Sequence, residues 1–195
     1  MLTIEPDRSA LLVMDVQVDV VARVGERAVA VLESAAGAVA AARKAHLPII
    51  YVVVGFRPGY PEMSPRNPAL ATVTQNGRFV VTTPGADVPA PVRPDPADIV
   101  IVKHRVSAFA GTDLDMILRA RGIDTLVLLG LATGGVVLST VRHAADADYR
   151  IVVLKDGCAD WDDEVHRVLT EKIFVRQATV VSVGDFTAAL AGVTP

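Results

Sequence analysis

Six short apolar runs, continuous and rich in β-branched residues, constrain the fold of this chain more than any other feature. Strands buried on both faces of a parallel sheet have this character, whereas half-buried strands alternate between apolar and polar residues. Helical patterns lie between most of the runs, so the sequence predicts an α/β fold with helices on both faces of a parallel sheet. The six runs are Ala10–Met14, Leu47–Val54, Asp98–Val102, Thr125–Leu129, Arg150–Leu154 and Thr179–Val183.

The helical patterns locate the residues that such a fold would place at a functional site. Helices are predicted over Glu26–Lys44, Thr112–Gly122 (with Thr112 as the N-cap), Gly135–Ala147, Asp162–Phe174 and Asp185–Ala191. Open parallel sheets bind ligands at the carboxyl ends of their strands, beside the point where strand order reverses. The residues that directly follow each run are therefore the candidates: Asp15, Gln17, Gly55–Arg57, Lys103–Arg105, Leu131–Val136 and Asp156–Asp160.

One segment, at about 57–97, interrupts the alternation of strands and helices. It contains nine of the twelve prolines and shows little periodicity. Long connections of this kind are usually binding loops or lids, and the alternative is a surface insertion without function. The length of 195 residues is typical of one domain, so residues 1–195 are expected to form a single domain that includes this loop.

Charge and cysteine content narrow the range of partners. The net charge is −3 and no Lys/Arg cluster is present, which disfavours nucleic acid and membrane surfaces as partners. A single cysteine excludes an internal disulfide, and the first residues lack the pattern of a signal peptide, so we expect a cytoplasmic protein. The four histidines do not fall at metal-ligand spacing, and we expect neither a metal ion nor another cofactor.

Two charged residues come directly after buried runs and are the main candidates for chemistry. Asp15 ends LLVMDVQ, and Lys103 ends DIVIVKHR. Burial would raise the pKa of the carboxyl group whereas the ammonium would lower it, and a pair balanced in this way can transfer protons near neutral pH. The alternative is that each charge only marks a strand end that reaches water.

A glycine-containing turn forms the third candidate element. Residues 130–146, GLATGGVVLSTVRHAAD, are typical of a strand, a tight turn and a helix, and Gly134 and Gly135 allow close backbone approach. Free amides at the start of the helix could bind an oxyanion or a substrate carboxylate. Glycine pairs also occur at such turns for purely steric reasons.

Three segments together resemble the isochorismatase-like hydrolase superfamily, also called the cysteine hydrolases. They are MDVQ, KHRVSAFAGTDLDMILRARGIDTLVLLGLATGG and STVRHAADADYRIVVLKDGCAD, and the resemblance runs over roughly Ser9–Phe186. It implies a three-layer α/β/α fold with a six-stranded parallel sheet, a small-molecule substrate, and assembly into homodimers or larger homo-oligomers. The family includes nicotinamidases, carbamoyl-amide hydrolases and isochorismatases.

The resemblance also assigns roles to individual residues. The family's catalytic Asp and Lys match Asp15 and Lys103, whereas its nucleophilic cysteine falls on Val136 of GLATGGVV. The backbone amides at Ala132 and Val136, with Gly135 between them, match the oxyanion site, and Leu131–Ala132 matches a cis peptide bond. The histidine-containing metal segment of nicotinamidases is missing from GFRPGYPEM, which disfavours that activity.

Because valine has no nucleophilic atom, three interpretations remain. The first is a hydrolase of the isochorismatase type, in which Asp15 protonates a vinyl ether and no thiol is needed. The second is a catalytically inactive homologue that binds a small acid. The third is an amidase with a relocated nucleophile at Cys158. Ser139 and Thr133 lack an evident base and are weaker nucleophile candidates. Gln17, Arg57, Arg105 and Thr133 are the candidates for substrate binding.

Overall fold

The central element of the molecule is a six-stranded parallel sheet with strand order β3-β2-β1-β4-β5-β6. A computed structural model describes residues 2–191. All six predicted strands are present, and helices flank the sheet, so the predicted fold class is confirmed. The strands are β1 (Ser9–Met14), β2 (Ile49–Val54), β3 (Ile99–Lys103), β4 (Thr125–Leu131), β5 (Arg150–Ala159) and β6 (Thr179–Val181).

The described residues contain seven α-helices, of which six lie between strands and the seventh follows β6. They are α1 (Val18–Val24), α2 (Ala28–Lys44), α3 (Pro68–Gln75), α4 (Leu114–Ala120), α5 (Leu138–Asp146), α6 (Asp163–Val168) and α7 (Val183–Ala191). Helices α2 and α7 contact each other and β5. Within residues 2–191, no helix combines the length and apolar character that crossing a bilayer requires.

The burial of the strands follows their position in the sheet. Every residue of β1 and β4 is buried, as their continuous apolar sequences predict. In β3, however, Val100 and Val102 are 48% and 42% exposed. The expectation of burial on both faces is therefore wrong for this strand, because β3 is an edge strand that is covered on one face only.

Several predicted helix boundaries are also corrected. Helix α5 begins at Leu138 rather than Gly135, because the backbone of Gly135 is non-helical and Thr133–Val137 form a wider turn. The N-cap of α4 is Asp113 instead of Thr112. Helix α1 and helix α3 are absent from the prediction, and the second of these lies inside the proline-rich segment.

The order of the strands fixes where a site can form. The chain builds β1, β2 and β3 in one direction and then returns to add β4 beside β1. The crevice between the carboxyl ends of β1 and β4 is therefore the topological switch point, which is the preferred ligand position in open parallel sheets. Asp15 directly follows β1 and Ala132 directly follows β4.

Candidate active site

Asp15 and Lys103 form a buried ion pair at the carboxyl edge of the sheet. The Nζ atom of Lys103 lies 2.8 Å from Oδ2 of Asp15, and the two residues are only 2% and 7% exposed. Lys103 also donates a hydrogen bond to the carbonyl of Arg105 at 3.0 Å. The prediction that these two charges converge is confirmed by this contact, and the alternative of two strand ends that reach water is wrong.

The environment of Asp15 favours its protonated form. Burial raises the pKa of the carboxyl group above its ordinary value of 3.8, although the charge of Lys103 and its hydrogen bond oppose this effect. The second oxygen, Oδ1, is buried and has no hydrogen-bond partner within residues 2–191. Asp15 also has a left-handed backbone with φ of 53°, a conformation that costs free energy and is frequent at functional sites.

Gln17 holds the turn after β1 in place and does not reach the cavity beside Asp15. Its side-chain amide donates to the carbonyls of Val54 and Ala86 at 2.9 and 2.8 Å. Its Oε1 accepts from the Val54 amide at 2.8 Å, and the residue is fully buried. Because these bonds occupy the amide, the prediction that Gln17 binds substrate is corrected to a structural role.

A cavity of about 390 Å³ opens beside the ion pair. Asp15 and Lys103 line it, together with Ala132, Gly135 and Val136 from the turn after β4. The peptide bond between Leu131 and Ala132 is cis, as the resemblance implies. Val136 is 2% exposed, so an apolar side chain occupies the wall where the resemblance places a nucleophile.

The proline-rich segment contributes to this cavity, but with residues other than the predicted one. Val73 and Phe79 form part of its wall, which supports a binding role for the segment. Arg57 does not line the cavity and is paired with Glu62. Its side chain is 69% exposed, so the structure does not support it as a substrate ligand.

Arg105 does line the cavity, as predicted. Its Nη1 donates to the carbonyl of His104 at 2.7 Å, and its own carbonyl accepts from Lys103. A guanidinium near the Asp15–Lys103 pair can bind a substrate carboxylate.

Thr133 differs from its prediction in two ways. It is fully buried and absent from the cavity wall, so it does not meet a substrate there. Contrary to the expectation that it lacks a base, its Oγ1 lies 2.8 Å from Nδ1 of His166. Burial lowers the pKa of His166 below its ordinary value, which favours the neutral imidazole. This contact ties the turn after β4 to α6.

Asp160, the last residue of the predicted segment Asp156–Asp160, also lines the cavity, together with Arg23 and Trp161, which were not predicted. Asp160 is 4% exposed and its Oδ2 accepts from the Gly134 amide at 2.6 Å, which anchors the turn after β4. Asp160 falls in the predicted region after the fifth run and Trp161 follows it directly, so proximity to a strand end was an available signal. Arg23 lies on α1, which the sequence pattern did not indicate.

Cys158 lies in β5, where it pairs with Gly130 of β4. The thiol is buried and does not line the cavity. Burial raises its pKa to about 12, so the thiolate that a cysteine nucleophile requires is disfavoured. Within residues 2–191, no group of three His, Cys, Asp or Glu side chains is arranged to bind a metal ion.

Comparisons with known proteins agree with this geometry. The sequence model of the isochorismatase domain family matches residues 9–185 of this chain. YwoC of Bacillus subtilis, an uncharacterized isochorismatase family protein, is 32% identical over 175 residues, which are 90% of each chain. The ureidoacrylate amidohydrolase RutB of Methylobacterium radiotolerans is 36% identical over 82% of this chain and 67% of its own length.

Solved structures show the same architecture. An isochorismatase family protein from Burkholderia thailandensis superposes with a TM-score of 0.84 at 29% identity, over 97% of this chain and 98% of the other. With some other curated relatives the alignment spans only about half of their length, for example 54% and 56%. The family model nevertheless covers most of this chain, and the named relatives extend over the sheet and the candidate site. We conclude that the chain belongs to the isochorismatase family.

Proposed function

We propose that the protein hydrolyses a small carboxylate-bearing substrate of the vinyl-ether type by general-acid catalysis from Asp15, without a cysteine nucleophile. The observation that carries this proposal is the buried Asp15–Lys103 pair at a cavity lined by Val136, the residue on which the resemblance places the family's nucleophile. Covalent acyl transfer needs a nucleophilic atom, which valine lacks. Protonation of a carbon–carbon double bond needs only an acid and a water molecule.

The proposed reaction begins with proton transfer from the Asp15 carboxyl group to the terminal vinyl carbon, which leaves an oxocarbenium-like species. Water adds to the cationic carbon and gives a hemiketal, and a proton returns to the Asp15 carboxylate. The hemiketal then breaks its carbon–oxygen bond to give a ketone and an alcohol. The raised pKa of Asp15 supports the protonated starting state, and Lys103 stabilises the carboxylate formed after transfer.

The cavity wall supports the substrate class. Its surface is largely apolar, with Val54, Leu131 and Phe79 among the lining residues, and Arg105 supplies a cation for a carboxylate. Asp15 itself lines this cavity, which allows its carboxyl group to meet a substrate there. Isochorismate, an enol ether with carboxylate groups, is the first compound to test.

Two alternatives are separated from this proposal by specific observations. An amidase like the relative RutB would need a nucleophile, and the raised pKa and burial of Cys158 argue against its thiol. A binding protein without activity would use the same cavity. In that case a small acid would bind without being converted.

The test is steady-state turnover of isochorismate by the purified chain, followed by release of pyruvate. Asp15→Asn is expected to reduce turnover by about 10²- to 10⁴-fold, the usual contribution of a positioned acid. The wild-type rate is expected to fall as pH rises through the pKa of Asp15, because only the protonated carboxyl group donates. Asp7→Asn, an exposed carboxylate before β1, is the matched control and should keep full activity.

The outcomes distinguish the three interpretations. Full activity in a folded Asp15→Asn variant would contradict the proposed role of Asp15. Binding of isochorismate without pyruvate release would favour the inactive homologue. Hydrolysis of an amide substrate that is lost after alkylation of Cys158, in a protein that remains folded, would favour the cysteine amidase.

A further inference from the structure

A second groove, of about 560 Å³, adjoins the candidate active site. It is lined by Arg23, Thr72, Val73, Asn76, Arg78 and Phe79. Arg23, Val73 and Phe79 belong to the walls of both spaces, so the groove is an outer continuation of the catalytic cavity. We refer to these six residues as the outer groove.

The outer groove carries two arginines and no acidic residue. Among the ion pairs and hydrogen bonds formed within residues 2–191, neither guanidinium has a carboxylate or carbonyl partner. This is unlike Arg27, Arg43 and Arg57, which all pair with acids. Two unpaired cations that share one concave surface attract an anion.

The position of each arginine is set by its surroundings. The Cζ atom of Arg23 lies 4.2 Å from the centre of the ring of Trp161, a residue of the cavity wall, and this is a cation–π contact. The backbone of Arg78 is held by the Tyr60 hydroxyl, which donates to its carbonyl at 2.9 Å, and by its own amide, which donates to Val73. Arg23 is therefore held against the Trp161 ring, and the backbone of Arg78 is held at the wall of the outer groove.

We propose that the outer groove binds a second anionic group of the substrate, so that the substrate is an elongated molecule with an apolar middle and a negative charge at each end. This inference rests on the proposed function, because it takes the cavity at Asp15 as the place of reaction. Arg105 would bind the inner carboxylate, and Arg23 and Arg78 the outer one. The apolar middle would contact Val73 and Phe79, which both spaces share.

The test uses unreactive acids, so that it does not depend on turnover. Hexanedioate and hexanoate have the same chain length and differ by one carboxylate. Their dissociation constants are measured by calorimetry, and the emission of Trp161, which is the single tryptophan of the chain, reports binding at the boundary with the groove. We expect hexanedioate to bind roughly tenfold more tightly, which is the usual scale for one charge-assisted contact.

Substitutions assign this preference to the outer groove. Arg23→Gln and Arg78→Gln should each reduce the ratio of the two dissociation constants by about three- to tenfold, whereas Arg23→Lys should keep most of it because the charge remains. Arg119→Gln is the matched control, since Arg119 is 74% exposed and lies on α4, away from the groove. Added salt should also reduce the ratio, since exposed charges are screened.

Each remaining outcome overturns the inference. These outcomes are equal affinity for the two acids, binding of neither acid, or an unchanged ratio in both arginine variants. The proposed function can fail separately: an absence of pyruvate release together with a preference for the dianion would leave the outer groove as an anion site of a binding protein. Pyruvate release without that preference would support the proposed reaction and contradict the proposal of a second anionic group on the substrate.

Discussion

The two edges of the sheet differ in what they bury. At the carboxyl edge, a cavity of about 390 Å³ contains a charged pair that is almost completely removed from water. At the amino edge, a larger groove of about 710 Å³ is lined by the charged residues Glu5, Arg150 and Arg176, all of which are exposed. Size therefore does not identify the functional edge. The buried charged pair identifies it, because burying charge costs free energy and folding alone gives no reason to retain such an arrangement.

Two unusual backbone conformations lie beside the candidate site. Asp15 adopts a left-handed conformation and Leu131–Ala132 a cis peptide bond, and both lie at the carboxyl edge. Asp15, Ala132 and Val136 line one cavity at the switch point between β1 and β4. Left-handed residues also occur at the amino edge, where His46 and Asp148 precede β2 and β5, so backbone conformation alone does not identify the site.

The largest effect is expected at the carboxyl edge, from Lys103→Met, which leaves the Asp15 carboxyl group buried without its ammonium partner. Breaking a buried pair in this way is expected to lower the free energy of unfolding by about 3–5 kcal/mol near neutral pH. Chemical denaturation measures this loss. Lys172→Met, an exposed lysine, should change it by less than about 0.5 kcal/mol.

The same variant should show a distinctive dependence on pH. Lys103 lowers the pKa of Asp15, so its removal raises a pKa that already lies above the unfolded value of 3.8. The folded state then binds a proton that the unfolded state releases, so this stability is present below 3.8 and lost as pH rises through the folded pKa. The deficit relative to wild type should therefore shrink as the solution is acidified. A deficit that is constant with pH would contradict this account of the pair.

A smaller effect is expected from Gly130→Ala, which tests how closely β4 approaches β1 at the carboxyl edge. Gly130 has φ of +156°, and an added Cβ would lie 2.3 Å from the carbonyl oxygen of Met14. The strands would have to separate beside Asp15, at a cost of about 1–3 kcal/mol and with reduced turnover. Gly37→Ala in α2 is the control, because its Cβ would meet only Val183 at 3.8 Å. It should stabilise the protein by about 0.5–1 kcal/mol.

The sequence predicted the parts of the site that depend on a strand and its end. Asp15, Lys103 and the turn after β4 follow buried apolar runs, and parallel strands bring their carboxyl ends to one edge. Contacts between distant segments could not be predicted in this way. The amide of Gln17 bonds to Val54 and Ala86, so its role depends on loops that carry no periodic pattern.

Side-chain partners explain the other differences between sequence and structure. Arg57 pairs with Glu62 and does not line the cavity. Arg23 lines the cavity and contacts Trp161, which is distant from it in the sequence. Helix α1, which carries Arg23, has only seven residues, too few for its apolar pattern to be distinguished from a loop. The exposed face of β3 follows from its edge position, which depends on strand order.

A still smaller effect is expected from Cys158→Ser, which changes the carboxyl end of β5 without reaching the cavity. A buried hydroxyl in place of the thiol should cost about 1 kcal/mol of unfolding free energy. Turnover of a saturating substrate should be unchanged, because Cys158 does not line the cavity. Denaturation and steady-state kinetics on the same preparation separate these effects. Loss of turnover in a folded variant would transfer the catalytic role to the thiol.

The smallest effect is expected at the amino edge, from Arg176→Gln. Arg176 lines the larger groove, is exposed, and forms no ion pair within the part of the chain from 2 to 191. Its replacement should change the free energy of unfolding by less than about 0.5 kcal/mol and leave both turnover and hexanedioate binding as in the wild type. Calorimetry and denaturation of Arg176→Gln beside Arg23→Gln make this a comparison of equal substitutions at opposite edges. If Arg176→Gln weakened hexanedioate binding as much as Arg23→Gln, the acid would be responding to overall charge, and the distinction between the two edges would fail for ligand binding.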